Sequence, residues 1–134
     1  MEGQTISSIG QGLCVLIGIR EDDTQEDSEY LVKKILGLRL FDGNGKPWSQ
    51  SVKDIDGDVL CVSQFTLQAK TSKGLKPDFH LAMKSSLSSV MYDEFLAKMR
   101  SQHPKIHDGQ FGAMMAVSIV NDGPVTILID SKDK

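Results

Sequence analysis

Hydroxyl and amide side chains cluster where one apolar run ends, because Ser63, Gln64 and Thr66 directly follow residues 59–62. Sites are often placed where a buried strand gives way to a loop. A hydroxyl nucleophile needs a base within hydrogen-bond reach, and only His80 could supply one by folding back. An enzyme built here would therefore work by positioning and through backbone N–H donors. The alternative is that Ser63 and Thr66 only satisfy backbone groups at a strand end.

A second candidate is the turn sequence of residues 121–126, which holds Gly123 and Pro124 between two apolar runs. Asn, Asp, Gly and Pro all favour turns. An X-Pro bond has an accessible cis form, and a cis Gly-Pro pair would present its carbonyls as a rigid backbone probe. The alternative is a hairpin turn with a trans proline.

No metal or cofactor site is indicated by the spacing of the remaining polar residues. The chain has no Gly-rich phosphate loop of common spacing, no HExxH and no GxSxG. His103 and His107 are close in sequence but lack a third ligand, so we expect surface histidines. Cys14 and Cys61 lie in apolar runs and are expected to be buried free thiols.

Four lysines fall in a segment with Asp78 as its only acid, and they are Lys70, Lys73, Lys76 and Lys84. Such a cluster indicates either a solvated loop or a group of phosphate contacts. The formal net charge of -3 argues against a protein that coats nucleic acid without specificity. A local phosphate contact remains compatible with that charge.

The pattern of apolar residues predicts the elements that position these groups. In chain order they are a hairpin of strands over 4–9 and 13–19, a helix from 24 to about 40, an edge strand over 48–52, a strand over 59–67, a helix over 84–100, and strands over 111–120 and 125–130. Thr24 and Asp27 fit a capping box at the first helix. The sequence therefore predicts an α+β fold with a mixed, mostly antiparallel sheet that curls toward a barrel and packs with two helices. Residues 131–134 are expected to fray.

Length and composition suit one domain spanning residues 1–134. The chain is 40% hydrophobic and 25% charged, which is ordinary for a globular protein. No run approaches the ~20 apolar residues of a membrane span, and the first residues lack the features of a signal peptide. We therefore expect a cytoplasmic protein without a membrane segment.

Two motifs resemble the signatures of the D-aminoacyl-tRNA deacylases of bacterial and eukaryotic type. They are SQFTL at residues 63–67 and NDGPVT at residues 121–126. Matching segments at 51–54, 76–79 and 111–113 extend the resemblance over nearly the whole chain. The resemblance implies the deacylase fold and a homodimer without a cofactor. The implied activity hydrolyses the ester between a D-amino acid, or glycine, and the terminal ribose of tRNA.

The resemblance also implies roles for individual residues. Gly123 and Pro124 would enter the site of the opposite subunit, capture the substrate's amino group and exclude an L side chain by steric clash. The catalytic pocket would be lined by Ser63, Gln64, Phe65 and Thr66, with N–H groups near Gln64 and Phe65 facing the ester oxyanion. Either Thr66 is the nucleophile or water attacks with help from the ribose 2'-hydroxyl, and the missing base favours water.

Phe111, Gly112 and Met115 match positions that resemble the family's pocket for the terminal adenosine. Family members usually begin with a strand that precedes the segment resembling residues 2–9, so we expect an exposed sheet edge here. The leading alternative function is a nucleic-acid-binding protein of the same fold without deacylase activity. A structural domain with a plain proline turn is the third hypothesis.

Overall fold

The computed structural model describes residues 5–134 of the chain. Two α-helices lie within them, α1 at Gln25–Gly37 and α2 at Ser85–Gln102, together with a short 3-10 helix at Phe65–Gln68. The strands of the described part are β1 Gly12–Ile17, β2 Phe41–Gly43, β3 Lys46–Gln50, β4 Asp58–Ser63 and β5 Ile106–Asp108.

The main sheet has the strand order β1-β4-β5, and both neighbouring pairs run parallel. Parallel neighbours need long crossover connections. The crossover from β1 to β4 contains α1, and the crossover from β4 to β5 contains α2. Strands β2 and β3 form a separate antiparallel pair. The combination of strands with two helices is confirmed, but the expected mostly antiparallel sheet is wrong. In the described residues the two small sheets are neither curled nor closed into a barrel.

The predicted hairpin over residues 4–9 and 13–19 and the two strands predicted at the C-terminal end are absent from the described residues. Residues 5–9 form no strand, and position 4 lies outside the described residues, as does the first part of the segment expected to leave an exposed edge. Residues 111–120 and 125–130 also form no strand. Apolar side chains of this stretch face solvent, with Met114, Val120 and Leu128 each at least 90% exposed. A strand pattern becomes a strand only where a neighbour supplies backbone hydrogen bonds.

The predicted start of α1 is confirmed. Thr24 precedes the helix with extended backbone, and its N–H donates to Asp27 Oδ2 at 2.8 Å. The helix ends at Gly37, three residues before the predicted end, and α2 runs within two residues of its predicted bounds at both ends.

A shared apolar core joins the helices to the sheet. Val59 and Cys61 of the central strand β4 are fully buried, because a strand between two neighbours in a parallel sheet is covered on its faces. The helices add buried side chains that include Val32 of α1 and Tyr92 and Met99 of α2. No helix among residues 5–134 has the length and hydropathy that a membrane span requires.

The C-terminal tail is held against α1, so the expectation that it frays is wrong. Lys132 Nζ lies 3.0 Å from Asp27 Oδ2 and 3.4 Å from Asp23 Oδ1. Lys134 Nζ lies 3.4 Å from Glu26 Oε1 and 5.1 Å from the centre of the Tyr30 ring. The acids at the start of the helix, which also favour its dipole, attract these two lysines.

Candidate active site

The SQFTL segment leaves the sheet through a tight turn. After β4 ends at Ser63, the Gln64 N–H donates to the Ile17 carbonyl of β1 at 2.7 Å. The chain then forms the 3-10 helix Phe65–Gln68, which we call the 3-10 turn. The predicted strand over 59–67 therefore stops at Ser63, because the apolar pattern cannot show where a strand leaves its neighbours.

Gly18, the first residue after β1, allows the 3-10 turn to pack closely against the chain at this point. A Cβ atom at Gly18 would be 2.8 Å from Leu67 Cβ and 3.1 Å from the Gln64 carbonyl oxygen. Gln68 Nε2 also donates to the Gly18 carbonyl at 3.1 Å. Sequence reasoning missed this support; the glycine in an otherwise apolar run was its only signal.

Two backbone donors stand at the start of the 3-10 turn. The N–H groups of Phe65 and Thr66 donate to no group within residues 5–134, as is usual for the first N–H groups of a helix. The Gln64 N–H is hydrogen-bonded to the Ile17 carbonyl. The available donors are therefore the N–H groups of Phe65 and Thr66, not those of Gln64 and Phe65 as expected. Donors of this kind can stabilise an anion that develops during a reaction.

Thr66 has no base beside it in the described chain. Its Oγ1 accepts a hydrogen bond from Gln64 Nε2 at 2.6 Å, and its side chain is exposed. His80 Nδ1 instead lies 2.7 Å from Asp78 Oδ1. No hydrogen bond joins His80 to Ser63 or Thr66 in the part of the chain that the structure covers. An amide donor on Oγ1 does not activate a hydroxyl for attack.

An aromatic contact links the 3-10 turn to the lysine-rich loop. The rings of Phe65 and Phe79 meet edge to face with their centroids 5.2 Å apart. This loop forms an open surface pocket of about 190 Å³, which we call the lysine pocket. Its lining residues are Lys70, Ser72, Lys73, Lys76, Asp78 and His80.

Residues 121–126, which we call the Gly-Pro loop, are braced by an asparagine. The Gly123-Pro124 bond is cis, and Gly123 has a φ of 121°. Asn121 Oδ1 accepts the Val125 N–H at 3.0 Å, and Asn121 Nδ2 donates to Thr126 Oγ1 at 3.0 Å. The brace was not predicted, although an asparagine that opens a turn commonly bonds backbone a few residues on. No hydrogen bond joins this loop to residues 63–66 within one described chain.

The three residues expected to meet adenosine differ in their surroundings. The Phe111 ring packs against Tyr92, with centroids 5.9 Å apart, and touches the core. Gly112 has a φ of 74° with open space at its Cβ position. Met115 Sδ accepts the N–H of Gln110 at 3.5 Å.

The histidines and cysteines offer no competing site in residues 5–134. His103 is buried, contrary to the surface prediction, with Nε2 2.7 Å from the Gly57 carbonyl. His107 is half-buried beside Asp58. Burial raises the pKa of the Cys61 thiol to about 12, while Cys14 is exposed rather than buried. Among the described residues no three His, Cys, Asp or Glu side chains converge as metal ligands do.

A solved structure with the same fold supports this architecture. The structure of "c-Myc DNA Unwinding Element Binding Protein" superposes with a TM-score of 0.89 at 53% identity, covering 93% of this chain and 85% of that one. The shared fold thus defines a class of mixed α/β proteins with two helices.

Curated relatives narrow the class to a family. A D-aminoacyl-tRNA deacylase of Drosophila melanogaster is 53% identical over 98% of this chain and 84% of its own length. For D-aminoacyl-tRNA deacylase 1 of Danio rerio the identity is 55%, over 96% of this chain and 63% of the relative. The family model described as D-Tyr-tRNA(Tyr) deacylase matches residues 1–130. The chain belongs to the D-Tyr-tRNA(Tyr) deacylase family.

Proposed function

We propose that this chain hydrolyses the ester of D-aminoacyl-tRNA, and of mischarged glycyl-tRNA, to free amino acid and tRNA. It would act in the cytoplasm as a single domain over residues 1–134, in the proofreading of translation. The observation that carries the proposal is the exposed 3-10 turn, where Phe65 and Thr66 offer two N–H donors and no activated side chain. Family membership supplies the substrate class.

The proposed reaction uses the backbone N–H donors of the 3-10 turn and no side-chain base. The ester carbonyl oxygen would lie against the N–H groups of Phe65 and Thr66, which stabilise the oxyanion as water adds to the carbonyl carbon. The ribose 2'-hydroxyl would relay the proton, accepting one from the attacking water while it donates its own to the ribose 3'-oxygen, which leaves as the ester bond breaks. Ser63 and Gln64 would shape the pocket, and Gln64 holds the Thr66 hydroxyl.

The Gly-Pro loop would provide the chiral test. In the proposal, the carbonyls of Gly123 and Pro124 receive the substrate's amino group and leave no room for an L side chain, so that L esters fail by clash. Phe111, Gly112 and Met115 would hold the terminal adenosine.

A second copy of the chain would complete the site. Within one described chain no hydrogen bond connects the Gly-Pro loop with the 3-10 turn. The segment that carries the loop exposes large apolar side chains, including Val120 and Leu128 at 98% and 90%. A partner that covers this segment would bury that surface, with the Gly-Pro loop of each subunit in the other's site.

Turnover separates the deacylase from the alternative, a nucleic-acid-binding protein without catalysis. The name of one similar structure mentions binding to a DNA element. The deacylase should release D-amino acid in many-fold excess over protein, whereas a binding protein should retain RNA without cleaving the ester. Absence of turnover with intact RNA binding would favour the alternative.

A further inference from the structure

The lysine pocket is an open surface pocket formed by the loop that follows the 3-10 turn. Two backbone hydrogen bonds join Lys70 and Asp78, at 2.7 and 2.8 Å, and tie the ends of the loop together. Gly74, with a φ of 105° and open space at its Cβ position, reverses the chain between them. The closure brings Lys70, Lys73 and Lys76 to one pocket of about 190 Å³.

The positive charge of the pocket is not neutralised from within. The lining contains three lysines and one carboxylate, that of Asp78. Asp78 Oδ1 accepts the His80 N–H at 2.8 Å and lies 2.7 Å from His80 Nδ1. Hydrogen bonds from the His80 backbone and ring keep the pKa of Asp78 below its ordinary value, so that the carboxylate is already engaged.

The ammonium groups of the three pocket lysines, unlike those of Lys105 and Lys132, have no partner in the described part of the chain. Lys105 and Lys132 each lie within 3.0 Å of an aspartate oxygen. For Lys70, Lys73 and Lys76 no ion pair or side-chain hydrogen bond to the rest of residues 5–134 is found. Lysine is a mobile point charge that suits a phosphate oxygen, and uncompensated lysines around one pocket fit an anion of several oxygens.

The position of the pocket relative to the proposed site identifies the anion. Phe79, between Asp78 and His80, packs on Phe65 of the 3-10 turn. If the terminal ribose lies at the turn, the preceding nucleotides of the same RNA strand would be within reach of this loop. Their phosphodiesters are the anions that a bound substrate would bring.

We propose that Lys70, Lys73 and Lys76 bind backbone phosphates of the acceptor end of aminoacyl-tRNA. This inference rests on the proposed function. It assigns the lysines the task of holding the RNA in register while the 3-10 turn acts on the ester, without reading sequence.

The test compares two substrates that differ in their phosphates. One is D-aminoacyl-tRNA, and the other is a D-aminoacyl ester of adenosine, which keeps the ribose and base but has no phosphodiester. The variant is K70Q/K73Q/K76Q. The matched control is K33Q/K46Q/K53Q, which removes three exposed lysines from elsewhere and makes the same change in net charge.

The ratio of kcat/KM for aminoacyl-tRNA to kcat/KM for aminoacyl-adenosine should fall at least about tenfold in the pocket variant and little in the control. The slope of log affinity for uncharged tRNA against log salt should fall by about 2, at ~0.7 per phosphate contact on a single strand. The variant K70R/K73R/K76R should keep both values near those of the unchanged chain.

Equal ratios and equal salt slopes in the two glutamine variants would overturn the proposal. A failure of the proposed function looks different, because the unchanged chain would then hydrolyse neither substrate.

Discussion

At the scale of single residues, the Thr66 hydroxyl accepts a hydrogen bond from an amide side chain and has no base beside it in the described chain. Gln64 Nε2 donates to its Oγ1 at 2.6 Å, and His80 is engaged by Asp78. In the proposed mechanism this arrangement favours attack by water, with backbone N–H groups stabilising the oxyanion.

Thr66→Ala should retain most of the deacylase activity, with kcat/KM reduced by less than about tenfold, because the hydroxyl does not attack the ester. Single-turnover rates on D-aminoacyl-tRNA measure the effect, with Ser86→Ala, an exposed hydroxyl on α2, as the control. A loss of several orders of magnitude would restore Thr66 as the nucleophile.

Gly123→Ala should reduce or abolish discrimination between D and L esters. With a φ of 121°, alanine is strained at this position, and its Cβ would lie 2.9 Å from Val125 Cγ2, so the loop must shift. The ratio of hydrolysis rates for matched D- and L-aminoacyl-tRNA measures the change. Gly37→Ala, at a glycine with open space around it, is the control. An unchanged D/L ratio would contradict the role of the carbonyls.

At this scale the sequence indicated candidate residues but not their hydrogen-bond partners. The family resemblance singled out Thr66 and Gly123 because residue types and their order can be read directly from the sequence. The Asn121 brace and the engagement of the Gln64 N–H depend on backbone paths that the sequence pattern does not contain.

At the scale of elements, the 3-10 turn depends on its fit against Gly18. A side chain there would press on Leu67 and on the Gln64 carbonyl. The position of the Phe65 and Thr66 N–H groups therefore depends on the close contact with Gly18, directly after β1.

Gly18→Ala should lower kcat/KM more than it lowers substrate affinity, because it displaces the turn. It should also cost about 1–3 kcal/mol of unfolding free energy, as overpacking does. Activity assays and chemical denaturation report the two effects, and Gly10→Ala, with open space around it, serves as the control. Full activity in a folded Gly18→Ala protein would show that the turn is not the site.

Helices were predictable as elements, and strand pairing was not. The capping box of Thr24 and Asp27 predicts the start of α1 from neighbouring residues alone. The parallel pairing of β1 with β4 joins residues more than forty positions apart, and local sequence does not contain such pairings. The apolar residues at 111–120 therefore looked like a strand, although no neighbouring strand pairs with them in the described chain.

At the scale of the whole molecule, the C-terminal tail returns to the start of α1. Burial alone would raise the pKa of Asp27, but hydrogen bonds from the Thr24 N–H, Lys132 and Ser131 lower it to about 2. The folded-state pKa is depressed, so this stabilisation is present above the ordinary aspartate pKa and is lost as pH falls through about 2.

Lys132→Met should lower the free energy of unfolding near neutral pH at low salt, since it removes a partly exposed ion pair. The difference from the unchanged chain should shrink as pH falls from about 4 to 2 and as salt rises. Urea unfolding across that range measures it, with Lys33→Met as the control. A difference that does not vary with pH would contradict the contribution of the ion pair.

The exposed apolar side chains on either side of the Gly-Pro loop, including Val120 and Leu128, should mediate association of two chains. Val120→Asp with Leu128→Asp should shift the mass measured by light scattering from dimer to monomer and remove activity. The control replaces the exposed Leu87 and Val90 of α2 by aspartate. A monomeric unchanged chain with full activity would contradict the shared site.

Hydrolysis of matched D- and L-aminoacyl-tRNA by this 134-residue chain tests the central claim most directly. We expect substoichiometric protein to release the D-amino acid rapidly and to spare the L ester. Hydrolysis of neither ester, or of both at equal rates, would contradict it.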